Sequence, residues 1–202
     1  MLIGPGRSRS SPFLRYFPTT ASCNGWCSKG GNAIDIALDA GTRASADIDL
    51  SMPDEFTLEE LDGVKSRIGS CLERTFREHG FKVFGFKMDE VPSDISPEIR
   101  AFWGGYRAEF KIIDSAMYGE FCDRPNDLHR QAVKIGRGGK LTIDISRFEF
   151  CRDKDSRNID GLTIYVYSPI MIVCEKIASV MPADARIRGN CTPPAPRRFT
   201  GA

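Results

Sequence analysis

The sequence predicts an α+β domain: a mixed β-sheet with flanking helices. Three observations carry that prediction. Strand and helix patterns interleave along the 202 residues without a strict βαβ repeat. Acidic and apolar residues alternate in Asp47-Ile48-Asp49-Leu50, the period-2 signature of a half-buried strand. Thr57-Leu58-Glu59-Glu60 has the form of a capping box and opens a long run that Gly80 stops.

The elements follow in order. Residues 1–22, rich in Gly, Ser, Arg and Pro, read as a poorly ordered arm. A folded domain is expected over 23–180 and an irregular tail over 181–202. Gly25 to Ser28 suits a short strand. Asn32 to Ala40 has helical patterning, with Gly41 as its C-terminal stop. Ala46 to Ser51 is the acid-bearing strand, and the helix opened by Thr57 runs to about His79. Phe81 to Met88 alternates as a strand, and Pro92 to Pro97 is a loop. Tyr106 to Ile113 is a strand with Tyr106, Ala108 and Phe110 on one face, followed by a helix over Asn126–Ile135. Leu141 to Cys151 and Leu162 to Tyr167 are strands. Ser168-Pro169 opens a last helix, Ser as N-cap and Pro at the first helical position.

Composition narrows the function classes. A hydrophobic fraction of 41% suits an ordinary globule, and a net charge of +1 gives no global field toward nucleic acid or membrane. No apolar run reaches transmembrane length, and the N-terminus lacks a signal-peptide core. The seven cysteines are scattered, odd in number and without a Cys-x-x-Cys pair, which reads as free thiols in a reducing cytoplasm.

The candidate chemistry lies in Lys29-Gly30-Gly31-Asn32 and the strand that follows. Alternation places Asp47 and Asp49 on one strand face while Ile48 and Leu50 turn into a core. The N–H groups of a helix start favour anions, so Gly30, Gly31 and Asn32 form a candidate phosphate cradle. A glycine pair alone is more often a plain turn; the acids downstream favour the cradle. Carboxylates facing such a cradle suit Mg²⁺ with a nucleotide, because Mg²⁺ takes one or two carboxylates plus substrate phosphates. Asp144, in Leu141-Thr142-Ile143-Asp144-Ile145, is either a solvent-facing strand residue or a third acid of the site, and alternation leaves both open. Asp35, Asp39, Glu149 and His129 read as solvated, His79 as a helix-end residue, and Trp26 and Trp103 as core or interface.

These features resemble the nucleotidyltransferase superfamily, whose pattern is a Gly-Gly or Gly-Ser helix start and an Asp-x-Asp strand. More narrowly they resemble the AbiEii/AbiGii toxin family. Phe102-Trp103-Gly104-Gly105-Tyr106, Ile143-Asp144-Ile145-Ser146, Val166-Tyr167-Ser168-Pro169 and Val173-Cys174-Glu175-Lys176 are similar to that family's later segments, in order, so the likeness runs from about Lys29 to about Ala178. The spacing from Gly31 to Asp47 is slightly longer than the superfamily's usual one.

The resemblance implies a nucleotidyltransferase-type mixed sheet and transfer of a nucleoside monophosphate from a nucleoside triphosphate to a hydroxyl. It implies Asp47, Asp49 and Asp144 as metal ligands and catalytic acids for Mg²⁺ (or Mn²⁺), and Arg43 and Lys176 as nucleotide contacts. It further implies a toxin–antitoxin pair active in phage defence, with tRNA as one acceptor and an AbiEi-type antitoxin as partner. Two other readings stand beside it: an inactive remnant that at most binds nucleotide or antitoxin, and a transferase acting on a small-molecule hydroxyl.

The C-terminus departs from the family, which continues with a Cys-Gln-Gln-Met-Pro-Glu-Tyr-like segment and a helical domain. Here the expectation is that the helical domain is largely missing. Codons for Met181 to Cys191 can be chosen so that reading one nucleotide later gives Cys-Gln-Gln-Met-Pro-Glu-Tyr-Ala-Glu-Ile. A frameshifted tail from about Val180 is therefore expected, with a divergent, disordered tail as the alternative; the gene sequence decides between them. The last helix carries more apolar positions than one narrow face can hide, so part of its surface is expected to stay exposed.

Overall fold

The computed structural model describes residues 25–38, 47–134, 139–159 and 162–180. The arm 1–22, Arg43, the Gly41 stop and the tail 181–202 lie outside them.

The described chain forms a seven-stranded mixed sheet with six helices. In chain order these are β1 (Cys27–Lys29), α1 (Gly30–Leu38), β2 (Asp47–Ser51), α2 (Leu58–Glu78), β3 (Phe81–Val91), α3 (Pro97–Arg100) and β4 (Gly105–Asp114). Then come α4 (Ser115–Phe121), α5 (Pro125–Gln131), β5 (Leu141–Ser146), β6 (Asp155–Ile159), β7 (Leu162–Val166) and α6 (Pro169–Val180). The strand order is β3-β4-β5-β2-β1-β7-β6. β2 runs parallel to β5 and β1 parallel to β7; the other neighbours are antiparallel.

The two faces of the central strands differ in chemistry, as alternation requires. One face carries Ile48, Leu50, Ile143, Ile145, Ala108 and Phe110 into the main core. Helix α2 closes that core with Val64, Ile68, Leu72 and Phe76, spaced four apart on one stripe. Each such side chain, once buried, contributes about 1.5–3 kcal/mol of hydrophobic stabilisation. The predicted capping box is formed: Thr57 Oγ1 accepts from Glu60 N and the Glu60 carboxylate accepts from Thr57 N. A smaller cluster of Cys27, Ala33, Cys151, Val166, Tyr167, Met171 and Ile172 seats α1 and α6 beside β1 and β7. Within it the Cys151 sulfur, then burial, pushes the Cys27 thiol up. Among the described residues Cys27, Cys71, Cys122, Cys151 and Cys174 are free thiols.

Several boundaries differ from the sequence expectation, each for a local reason. Helix α1 begins at Gly30 rather than Asn32, because Gly30 adopts φ +66° and turns the chain directly out of β1. Strand β5 stops at Ser146 rather than Cys151, since Phe148 takes φ 60° and Glu149 N donates to Met52 O. Helix α5 ends at Gln131 rather than Ile135, where Val133 N donates to Ile112 O at the sheet. Helix α4 was not legible; its signal is Asp114, whose Oδ1 accepts from Ala116 N. Strand β6 (Asp155–Ile159) is too polar to show alternation and is held by pairing with β7. Ser168 precedes α6 as expected, but its hydroxyl is buried without a hydrogen-bond partner and makes no cap. Met171 and Ile172 of α6 are buried, whereas Ile170, Val173, Ile177 and Val180 are exposed.

Candidate active site

The polar face of the central sheet gathers the acids. The parallel register sets Asp49 of β2 directly beside Asp144 of β5, and Asp47 lies on the same face two residues earlier. On the other side of β2, Lys29 of β1 stands opposite Asp49. Beyond β5, Arg107 of β4 stands opposite Asp144. One row of side chains therefore reads Lys29, Asp49, Asp144, Arg107 across four strands: two acids between two bases.

Each base is committed to a definite partner. Lys29 Nζ donates to Ser146 Oγ at 2.9 Å and to Glu149 Oε1 at 3.1 Å, with its side chain only 15% exposed. Arg107 forms a two-pronged pair with Asp144, Nε to Oδ1 at 2.6 Å and Nη2 to Oδ2 at 3.1 Å. That pairing raises the Arg107 guanidinium further above its ordinary value.

Asp49 is the strained acid of the row. Burial pushes its carboxyl up and the Asp144 charge adds to this; Lys29 opposes, while Asp47 and Glu175 add to the repulsion. Its Oδ2 sits over Gly30, where a Cβ would meet it at 2.6 Å. The start of α1 and the acid strand are thus packed against each other through the missing side chain of Gly30. Gly31 is exposed in the first turn of α1.

The donors are carboxylate oxygens, which suit a hard divalent cation completed by substrate phosphates. Among the described residues no group of three or more His, Cys, Asp or Glu side chains converges as a metal cage.

The sequence-predicted residues divide in three. Asp47, Asp49 and Asp144 share one face of the sheet, Asp49 and Asp144 adjacent in register and Gly30 beside Asp49. Lys176 is exposed on α6. Arg43 and the Asn32 side chain lie outside the described residues. Lys29 belongs to the sequence motif but had no role of its own there, and Arg107, Glu149 and Glu175 were not candidates for the site. Glu149, read as solvated, pairs with Lys29 because the turn at Phe148 returns it to the sheet. Glu175 bears on Asp49 electrostatically, and its buried Oε2 has no hydrogen-bond partner. Alternation gave half of the signal for Arg107: Tyr106 and Ala108 face the core, so Arg107 takes the opposite face, and the pairing with β5 sets it beside Asp144.

The profile of the family described as nucleotidyl transferase AbiEii toxin, of a type IV toxin–antitoxin system, matches residues 13–193. No curated protein matches the chain. One similar solved structure is an H. pylori protein described as a nucleotidyltransferase, with a TM-score of 0.41 and 14% identity. The match covers 82% of this chain and 53% of that one, so the chain spans about half the length of that structure. Among the described residues no helix is long and apolar enough to cross a membrane.

Proposed function

The chain belongs to the AbiEii nucleotidyltransferase toxin family of type IV toxin–antitoxin systems, and from that premise we propose that it transfers a nucleoside monophosphate to a hydroxyl acceptor. The donor is a nucleoside triphosphate and the cofactor Mg²⁺ or Mn²⁺. The observation that carries this reading is the register that sets Asp49 beside Asp144, with Asp47 on the same face and Gly30 under the Asp49 carboxylate.

Asp47, Asp49 and Asp144 are the residues that would hold the cation. Bound there, it supplies positive charge that screens the phosphates and stabilises the leaving pyrophosphate. Gly30, Gly31 and Asn32 offer first-turn N–H groups of α1 to the phosphates. Lys176 and Arg43 are the proposed additional nucleotide contacts. Lys29, tied to Ser146 and Glu149, fixes β1 against the end of β5 and so holds the Asp49 strand in place. As the acceptor hydroxyl attacks the α-phosphorus and pyrophosphate leaves, Asp144 either joins Asp47 and Asp49 in holding a cation or takes the proton of that hydroxyl. tRNA is the proposed acceptor and an AbiEi-type antitoxin the proposed partner, as the family suggests.

The test is transfer of label from each of the four nucleoside triphosphates, with and without tRNA, in the presence of Mg²⁺. Labelled product from one triphosphate, lost in Asp49→Asn, is the expected result. Transfer that persists in Asp49→Asn overturns the site. Stable nucleotide binding without transfer to any acceptor favours the binding-only reading.

A further inference from the structure

The face that carries the acids also carries a cation of its own. Arg107 uses both prongs of its guanidinium on both oxygens of Asp144. The neighbouring charges leave it in that role. Glu109, two residues along β4, is held by Lys140 at 2.9 Å and Lys87 at 3.2 Å, and Lys29 is held by Ser146 and Glu149. Arg107 is also within the electrostatic reach of Asp47. It therefore neutralises the acids from the β4 side, in the place where charge from a divalent ion would act. The Arg107 side chain is 48% exposed and Asp144 33%, so the pair is accessible from solvent and can be opened.

We propose that Arg107 is a positioning residue: a built-in counter-ion on Asp144 that a divalent cation must displace, and that a triphosphate draws away. This rests on the nucleotidyltransferase reading above and adds an order of events to it. Both Asp144 oxygens accept from Arg107, so a cation arriving alone competes with a charge-assisted, two-pronged pair. A cation arriving with a triphosphate brings a second anion for the guanidinium, which matches phosphate oxygens as well as it matches a carboxylate. The result is a site that discriminates against the free ion and admits the ion–triphosphate complex.

The experiment measures Mn²⁺ affinity by titration with EPR detection of the free ion, without nucleotide. Arg107→Gln is expected to bind Mn²⁺ about 1.5- to fivefold more tightly than the unmodified protein, the range set by an accessible ion pair. Adding Asp144→Asn is expected to erase that gain. Inorganic triphosphate is expected to narrow the gap, because it gives the native Arg107 another partner. Equal or weaker Mn²⁺ affinity in Arg107→Gln, including no binding to either protein, overturns the counter-ion. A gap that triphosphate leaves intact overturns its release. Arg107→Lys, which keeps the charge and loses the fork, should fall between the two and serves if Arg107→Gln does not fold. Failure of the underlying reading looks different: Mn²⁺ and triphosphate binding would then be indifferent to Asp49→Asn, whatever Arg107 does.

Discussion

Gly30 and Asp49 occupy each other's space: the Oδ2 of Asp49 lies 2.6 Å from where a Gly30 Cβ would stand. The two residues meet where β1 turns into α1, alongside the strand that bears the acids. Since Gly30 also holds φ +66°, a side chain there is excluded twice, by backbone conformation and by contact. Gly30→Ala should cost about 1–3 kcal/mol in stability and turn the Asp49 carboxylate aside. Denaturant unfolding measures the first effect. Loss of the thermal shift given by Mn²⁺ with nucleoside triphosphate measures the second. Native stability with a full ligand shift would show that the contact constrains nothing.

Asp49→Asn should separate stability from ligand binding. Asp144, Asp47 and Glu175 all bear on the charged Asp49, so a neutral amide relieves repulsion. The melting temperature without ligand is expected to match or exceed that of the unmodified protein. The ligand-induced rise, which follows from mass action on the native state, should largely vanish. A retained rise would place the nucleotide elsewhere.

Arg147 should be required for folding stability and irrelevant to the chemistry. Its side chain is 1% exposed and donates to Glu90 Oε1 at 2.7 Å, Glu55 Oε2 at 3.1 Å and the Trp103 carbonyl at 3.3 Å. Arg147→Met strips those carboxylates of their shared partner. The expected loss is about 3 kcal/mol, the low end for a broken buried pair, since Glu55 and Glu90 keep some access to water. Chemical denaturation checks it; a change under about 1 kcal/mol would show that the network is dispensable.

Acid should weaken the domain partly through Glu60 and Glu109. The Thr57 cap holds the Glu60 carboxyl below its ordinary range, and Lys140 with Lys87 does the same for Glu109. A depressed native value means that the folded protein binds fewer protons than the unfolded chain. That stabilisation is present above the ordinary carboxylate range and lost as pH falls through the depressed native values. Between pH 6 and pH 3, on the order of the carboxylate range, Glu60→Gln with Glu109→Gln should flatten the decline of melting temperature. An unchanged slope would assign the acid response to other groups.

The outer stripe of α6 should promote association. Ile170, Val173, Ile177 and Val180 fall at successive three- and four-residue steps, and all four are exposed. Val173→Lys with Ile177→Lys is expected to reduce concentration-dependent association in sedimentation velocity without lowering the melting temperature. Association unaffected by both changes would exonerate this face.

The sequence by itself determined what is periodic or stereochemically forced. Asp47 and Asp49 had to share a face because strand side chains alternate. The helix after Thr57 had to start there because the capping box is local, and Gly80 had to follow its end. The pairing of strands decided everything that needed register. Sequence alone left Asp144 open between solvent and site; the parallel pairing of β2 with β5 set it beside Asp49. Arg107 looked like any outward-facing strand residue until the antiparallel pairing of β4 with β5 brought it to Asp144. Glu149 came back to Lys29 only through the φ 60° turn at Phe148, a conformation that a phenylalanine does not announce. Glu175 reached the field of Asp49 only because α6 packs beside α1, while its neighbour Lys176 stayed exposed. Local patterns fix faces and caps because they depend on neighbours within a few residues. The charge balance of the site depends on residues up to 120 positions apart, as Lys29 and Glu149 are, and only the folded sheet brings those together.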